Sequence, residues 1–593
     1  MEILIKKYIY KLIPFLILLS LGFLVFSNTL TSEFVWDDTL LIEKNVYLKD
    51  WTHIPKLFTR DIGAGAGLTY GFYRPVLMLS LMLDYSMWGL DVRGYHAMTI
   101  LLHVLAALGV YYFALLICKD KNIALFSSML FLVHPIQCED VAYVTGRADS
   151  LFLIFLLLSF ISYVYYSGKA SGIYLVAASF FYVLSLLSKE NGLILPVLAL
   201  LYHHVFKVKV KKAGFFLITG IAALYLGVVM FIIRPDAFSS GVMTSWVERV
   251  PGFFVAFRRY LTALFIPVNL HMGHMHKTFQ LADAGVILGI VFFIIFLAIT
   301  WAARRSNMLF YFCLLWFFMG LIPVSNVVIP ASSFMAYRYL YLPAIGIFII
   351  FSSLSLRLNR IRTVKRFSGI PILFCIGLFS LISFNQNRYW SDPVRFFKRT
   401  VDFVPENLSA WNNLAAIYMR RGQRVKAVRL FEKMIRQHPD FHSPYNNLAN
   451  LYKDMGRIDE AIALYRKAIQ LRPNSSDAYN NLGKTYVIIG KKDEAIEWFE
   501  KAISVNEACV GAYVNLGTVY LEKGRFDKSG FYLEKAIRLD PDCAEAYNNL
   551  SVLCYRTGKI SEAIEYCRKA QGLGTRVHPE FLALINKIEH ARN

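Results

Sequence analysis

Charge is what this sequence has least of. Only 18% of its 593 residues are Asp, Glu, Lys or Arg, against 56% hydrophobic and 15% aromatic residues. Soluble globular chains carry about a quarter charged residues, so a single soluble domain of this length is excluded. The shortage is uneven. Apolar runs crowd the stretch before about residue 386, and the remainder has an ordinary soluble composition. Two domains are the minimum. Acids are scarcer than bases, 41 against 63, for a net charge of +22. No basic helix or aromatic-basic module accompanies that excess, which argues against nucleic acid as a partner. Most of it lies in short loops between apolar runs, where it reports topology.

The first apolar run, Tyr8–Phe26 after Lys6 and Lys7, lacks the short core and small-residue cleavage site of a signal peptide. It is long enough to span a bilayer and reads as an uncleaved anchor. Further runs lie near 95–117, 123–138, 149–166, 172–187, 191–206, 213–233, 284–303, 308–329, 338–356 and 368–385, which makes about eleven spans. Alternate loops carry the basic residues, among them Lys119, Lys121, Lys169, Lys207–Lys212, Arg304, Arg305 and Arg357–Arg366. Those loops are expected on the cytoplasmic side. Loops 28–94, 139–148, 188–190, 234–283 and 330–337, and the C-terminal part, are then expected outside.

The C-terminal part repeats at 34 residues. Trp411, Tyr445, Tyr479, Tyr513 and Tyr547 share a phase, as do Leu414, Leu448, Leu482, Leu516 and Leu550. Small residues follow at Ala427, Ala461, Ala495, Ser529 and Ala563, then larger ones at Phe431, Tyr465, Phe499, Leu533 and Cys567. This is the tetratricopeptide (TPR) pattern of paired helices stacked into a solenoid. The fold expected is all-α: a polytopic bundle at 1–386, a half-repeat junction at 387–407, and five repeats plus a C-terminal helix at 408–593. Asn413, Asn447, Asn481, Asn515 and Asn549 also recur at 34. Their amides either hold an extended acceptor polypeptide or are a structural habit of the repeat. Cys554 and Cys567 either bridge the last repeat or fill its core as thiols.

Charges at a membrane edge are costly and default to functional candidates. Asp37 and Asp38 follow the first span, beside Trp36. His134-Pro135, Glu139-Asp140 and Gly146-Arg147-Ala148-Asp149 crowd one short hairpin. Lys189-Glu190 sits in a tight turn, and Arg338-Tyr339 stands at the mouth of a span among aromatics. Each also has a plainer reading: solvated acids, ion pairs internal to a hairpin or turn, or an aromatic belt with a snorkelling Arg. His271, His274 and His276 form a weaker group, read as interfacial loop rather than metal site. No zinc spacing is present.

Taken together, these motifs resemble one family. Asp37-Asp38, Tyr73-Arg74-Pro75, His134-Pro135 with Gly146-Arg147-Ala148-Asp149, Lys189-Glu190, Arg338 with Leu340-Tyr341-Leu342-Pro343, and the repeats look like the transmembrane and TPR-containing protein O-mannosyltransferases, which have the GT-C fold. The resemblance covers nearly the whole chain. It implies transfer of a sugar, mannose in that family, from a lipid-phosphate carrier to a polypeptide hydroxyl on the non-cytoplasmic side. By that likeness Asp37 carries the catalytic base, with Asp38 as its neighbour. Lys189, Arg338 and Arg74 take the carrier phosphate. His134, Glu139, Arg147, Asp149, Glu190 and Tyr339 are further site candidates, and the array takes the acceptor. No cofactor is called for, with a divalent metal left open. The Lys- and Ile-rich composition points to a bacterial inner membrane with a periplasmic array and a polyprenyl carrier. A eukaryotic chain would sit in the endoplasmic reticulum with a lumenal array and dolichol. The competing readings are an O-antigen ligase or polymerase, which would place its key Arg and His in a large late loop, and a non-enzymatic TPR scaffold.

Overall fold

Each apolar run becomes a helix, because a backbone surrounded by apolar material must satisfy its own hydrogen bonds. The structure, a computed structural model, describes residues 2–68, 70–230, 246–272, 278–327, 334–357, 369–575 and 577–592. The described residues are helices joined by turns, so the all-α class is borne out. The chain divides into two compact units, Met1–Asn407 and Leu408–Asn593.

In the first unit, helices occupy Glu2–Phe26, Val92–Cys118, Lys121–Val133, Arg147–Lys169, Gly172–Ser188, Leu195–Phe206, Lys212–Val228, Ala284–Ser306, Met308–Leu321, Ala344–Arg357 and Ile370–Asn387. Among the described residues five candidate spans, at Leu12–Thr29, Val92–Cys118, Val144–Lys169, Ala284–Ser306 and Ile370–Asn387, are long and apolar enough to cross a membrane, and the other apolar helices are shorter. Side chains such as Leu224, Ile173 and Phe374 point outward at 70%, 68% and 66% exposure. Apolar surface of that extent is costly in water and suits lipid. The protein is a membrane protein. Inside, Trp316 is fully buried against Phe113 and Phe160 and donates its indole N–H to Leu342 O at 3.1 Å.

Two helices lie in stretches the sequence left as loop, Pro75–Trp88 and Trp246–Phe265. The first starts with Pro at its first position, where a missing N–H costs nothing. The second is amphipathic rather than uniformly apolar, which is why a search for spans passes over it. A short helix, Pro393–Phe403, closes the unit, capped by Asp392 through Val394 N and burying Phe396, Phe397 and Val401.

The second unit holds five helix pairs, from Leu408–Arg420 with Arg424–Gln437 to Ala544–Arg556 with Ile560–Gly572, then Pro579–Arg592. Gly422, Gly456, Gly490, Gly524 and Gly558 turn each pair at φ 69°, 76°, 77°, 71° and 80°, a region that favours glycine. The recurring Leu and Ala positions are buried, and Ser529 keeps its place by donating to Gly517 O at 2.8 Å. Cys554 and Cys567 are buried in the core of the last repeat with no disulfide between them, and Cys554 Sγ lies 3.7 Å from Glu562 Oε2.

The asparagine ladder is partly spent between repeats. Asn447 donates to Asn412 at 3.2 Å, Asn481 to Asn446 at 3.2 Å, Asn515 to Asn480 at 2.8 Å and Asn549 to Thr518 at 2.8 Å. Asn413 is exposed in the first repeat. The amides therefore zip neighbouring repeats together. Replacing Asn481 by Ala in the full chain should cost about 0.5–1.5 kcal/mol. It should speed hydrogen exchange in helices Ser476–Ile488 and His442–Asp454 alone. Unchanged exchange there would show that the bond does not hold the interface.

Candidate active site

The charged groups that look separate in the sequence are cross-paired in space. Lys189 does not pair with adjacent Glu190. Its ammonium lies 2.6 Å from both oxygens of Asp149. Glu190 instead takes a two-pronged bond from Arg74, at 3.1 and 2.6 Å. Arg338 reaches Glu139 at 3.4 Å. Loops 28–94, 139–148, 188–190 and the segment before Ala344 thus meet at one end of the helix bundle.

The acidic pair splits into two roles. Asp38 is buried and accepts from the backbone N–H groups of Val144 and Thr145 at 3.1 and 2.9 Å. It fastens the first loop to the hairpin. Burial pushes its carboxyl up to about 7, against those backbone bonds. Asp37 is only half-buried. Its two oxygens accept from the hydroxyls of Tyr70 at 3.1 Å and Tyr143 at 2.9 Å. Burial raises its carboxyl above the ordinary range, while those hydroxyls and the charge of Arg338 pull the other way.

An aromatic frame holds Asp37 in place. Trp36 sits at φ 53°, a left-handed conformation that costs a bulky residue about 1–3 kcal/mol. Its ring stacks on Phe397 at 5.9 Å and meets Phe396 edge-on at 5.8 Å. Trp390 bridges Phe396 and Tyr143, at 4.8 and 5.9 Å. Helix Pro393–Phe403 therefore supports the loop that presents Asp37.

The hairpin is tight because residue 146 is glycine. A Cβ there would stand 3.0 Å from the backbone Cα and O of Asp140. Asp140 is fully buried, and neither of its oxygens has a hydrogen-bond partner. Burial, then the like charges of Asp149 and Glu139, push its carboxyl well up. Glu139 is raised by burial too, with Arg338 opposing. Burial also raises Glu190, but the charge and bonds of Arg74 outweigh it and hold the carboxyl at about 2.

Two of the sequence candidates are engaged elsewhere. Arg147 is fully buried: it pairs with Asp84 at 2.5 Å and donates to Tyr95 O, Thr99 Oγ1 and Val144 O. His134 uses both ring nitrogens on backbone, Leu264 O at 3.1 Å and Ile136 N at 3.3 Å, between Phe348 and Phe379. Both residues fix the walls rather than face the opening. His271 lies on a cleft edge, and His274 and His276 are outside the described residues. Among the described residues no three His, Cys, Asp or Glu are grouped to hold a metal.

Two clefts open here. One, of about 270 Å³, is lined by Asp149, Asn191, Arg338 and Tyr339 together with apolar groups such as Phe152 and Leu342. The second, of about 400 Å³, runs between Glu139, Tyr337, His271 and the aromatic residues of the closing segment, Tyr389 and Trp390.

Tetratricopeptide-repeat family models match residues 410–442, 440–508 and 514–576. Protein O-mannosyl-transferase TMTC3 of Homo sapiens is 24% identical over 437 residues, covering 65% of this chain and 47% of that protein. Protein O-mannosyl-transferase F38B6.6 of Caenorhabditis elegans is 26% identical over 425 residues, covering 68% and 59%. The chain is a relative of the protein O-mannosyl-transferases. This bears out the family likeness of the motifs. The chain spans about half the length of the two curated O-mannosyl-transferases, at 47% and 59%. Among solved structures, that of MamA matches with a TM-score of 0.25 and 29% identity, covering 27% of this chain and 94% of that one.

Proposed function

We propose that the protein is a glycosyltransferase. It moves a sugar, mannose by its relatives' names, from a polyprenyl- or dolichyl-phosphate carrier to a hydroxyl of a polypeptide, on the non-cytoplasmic side. The observation that carries this reading is Asp37: a half-buried carboxylate with a raised pKa, held by two tyrosine hydroxyls within the field of Arg338. Asp37 takes the proton of the acceptor hydroxyl as its oxygen attacks the anomeric carbon. The bond from that carbon to the phosphate oxygen breaks, and the electron pair leaves with the phosphate. The configuration inverts. Arg338 stabilises the charge that grows on the leaving group.

Of the three cations expected at the phosphate, we keep Arg338. Its side chain is 32% exposed and its acidic partner stands off at 3.4 Å. Lys189 and Arg74 are already neutralised by Asp149 and Glu190 at shorter range, so we assign them to scaffolding. The smaller cleft has the right character for the carrier, with a guanidinium beside apolar walls. The larger cleft suits the acceptor, and the array would gather polypeptide.

The test is sugar release from a mannosyl polyprenyl phosphate in detergent. The wild-type protein should turn over. Arg338→Gln should raise the donor KM by about 10–100-fold, the worth of a charge-assisted contact. A folded wild-type protein that releases no sugar from such donors removes the reading and favours the scaffold.

A further inference from the structure

Basic residues crowd the C-terminal end of the last candidate span. Helix Ile370–Asn387 is long and apolar enough to cross a membrane. Phe374, Leu378 and Leu381 form a stripe along it, exposed at 66%, 40% and 65%. Residues three and four apart lie on one face of a helix, so the same spacing carries the stripe on to Asn385 and Arg388. Both are exposed. An apolar stripe open to this extent on a span suits lipid. Asn385 and Arg388 therefore stand where a lipid-facing surface ends.

These two residues line a cleft of about 1160 Å³, together with Tyr389, Arg395, Lys398, Arg399, Asp402 and Phe403. Helix Pro393–Phe403 supplies most of that lining. It buries Phe396, Phe397, Thr400 and Val401 and exposes Arg395, Lys398 and Asp402. Arg399 is braced: its guanidinium lies 3.6 Å from the Tyr389 ring centre and donates to Leu270 O at 3.0 Å and Gln386 at 3.4 Å. Four cations thus share the cleft with one acid, Asp402. Among the described residues no carboxylate pairs with Arg388, Arg395, Lys398 or Arg399. Tyr389 and Phe403 are exposed at its edge, and such aromatics suit the boundary between headgroups and hydrocarbon. The loop charges lead us to expect this end of the span on the non-cytoplasmic side, where basic residues are normally sparse. Topology therefore does not account for the cluster.

We propose that this cleft binds the headgroup of an anionic phospholipid. Arg388, Arg395 and Lys398 supply the cations for its phosphate, and an acyl chain runs along the Phe374, Leu378 and Leu381 stripe. An acidic polypeptide would match the charge but would leave the stripe unused, whereas a lipid matches both. Bound there, the lipid holds helix Pro393–Phe403 at the bilayer surface. Arg338 does not line this cleft, and binding here is independent of sugar transfer.

The experiment places the purified full-length protein in phosphatidylcholine nanodiscs with a trace of phosphatidylglycerol that carries a photoreactive headgroup. Adducts are mapped by peptide mass spectrometry, beside a phosphatidylcholine probe with the same reactive group. The anionic probe should label residues 385–403 at least about tenfold more than the zwitterionic one. The triple variant Arg388→Gln, Arg395→Gln, Lys398→Gln should lose that label by about 10–100-fold. It should unfold like wild type, because all three side chains are exposed. Arg388→Lys with Arg395→Lys keeps the charge and should keep the label, and salt should weaken it. Glycerol phosphate in solution should not displace the probe at equal concentration. Equal labelling by the two probes, or a triple variant labelled like wild type, overturns the lipid assignment. Loss of label by the lysine pair, whose charge is intact, overturns it as well. Displacement by glycerol phosphate at equal concentration would mark a site for free anions and overturn it. Displacement by an acidic peptide at equal concentration would make the cleft a polypeptide site and overturn it too.

Discussion

Asp37→Asn should lower turnover by about 10²–10⁴-fold, the usual worth of a positioned general base. Carrier binding and the fold should survive, because Asn keeps the shape and can still accept from one of the two tyrosine hydroxyls that hold Asp37. Burial raises the Asp37 carboxyl. The acid limb of the wild-type pH profile should therefore sit above the ordinary Asp value of about 4. Activity is lost as pH falls through that limb, because protonation removes the base. The limb should vanish from the residual rate of the variant. Asp38→Asn should behave differently. Asp38 accepts from two backbone N–H groups, and an amide would turn a donor toward one of them. The expected loss is in yield and thermal stability first. A stable Asp38→Asn protein with no turnover, beside a nearly normal Asp37→Asn protein, would move the base one residue along.

The second large effect lies beneath the site. Arg147→Met should destabilise the membrane unit by about 3–5 kcal/mol, the cost of breaking a buried ion pair from one side. The partner left behind, Asp84, is buried with the pair contact at 2.5 Å. The Tyr95, Thr99 and Val144 acceptors lose their donor too. Adding Asp84→Asn should recover part of the loss, since the stranded charge is gone. Arg147→Lys keeps the charge but loses the planar fork, so it should fall between the two. Thermal unfolding in detergent reads all three. If Arg147→Met unfolds like wild type, the pair does not brace the hairpin.

What could be read from the sequence follows from how local each signal is. The repeat declares itself because one unit recurs at a fixed 34-residue spacing, so Leu414, Leu448 and Leu482 identify each other. The apolar runs declare themselves by length and composition. The charged motifs could be found but not matched. Lys189 and Glu190 are adjacent, yet Lys189 turns to Asp149 and Glu190 to Arg74. Such pairing is decided by which helix ends the bundle brings together, and sequence distance carries none of that. The same holds for Asp37 and Asp38, identical in type, one held half-buried by two tyrosine hydroxyls and one spent on a hairpin. Helix Trp246–Phe265 escaped notice because its 20 residues are long enough for a span but mix apolar and charged positions.

The most direct test of the central claim is a single-turnover transfer with the purified full-length protein. The donor is synthetic mannosyl polyprenyl phosphate of defined anomeric configuration, the acceptor a Ser/Thr-containing peptide, and the product's sugar linkage is read by NMR. Mannose should appear on a hydroxyl with inverted configuration, one polyprenyl phosphate should be released per sugar, and both should be lost with Asp37→Asn. Transfer from a nucleotide sugar but not from the lipid phosphate, or a product of retained configuration, would contradict the central claim.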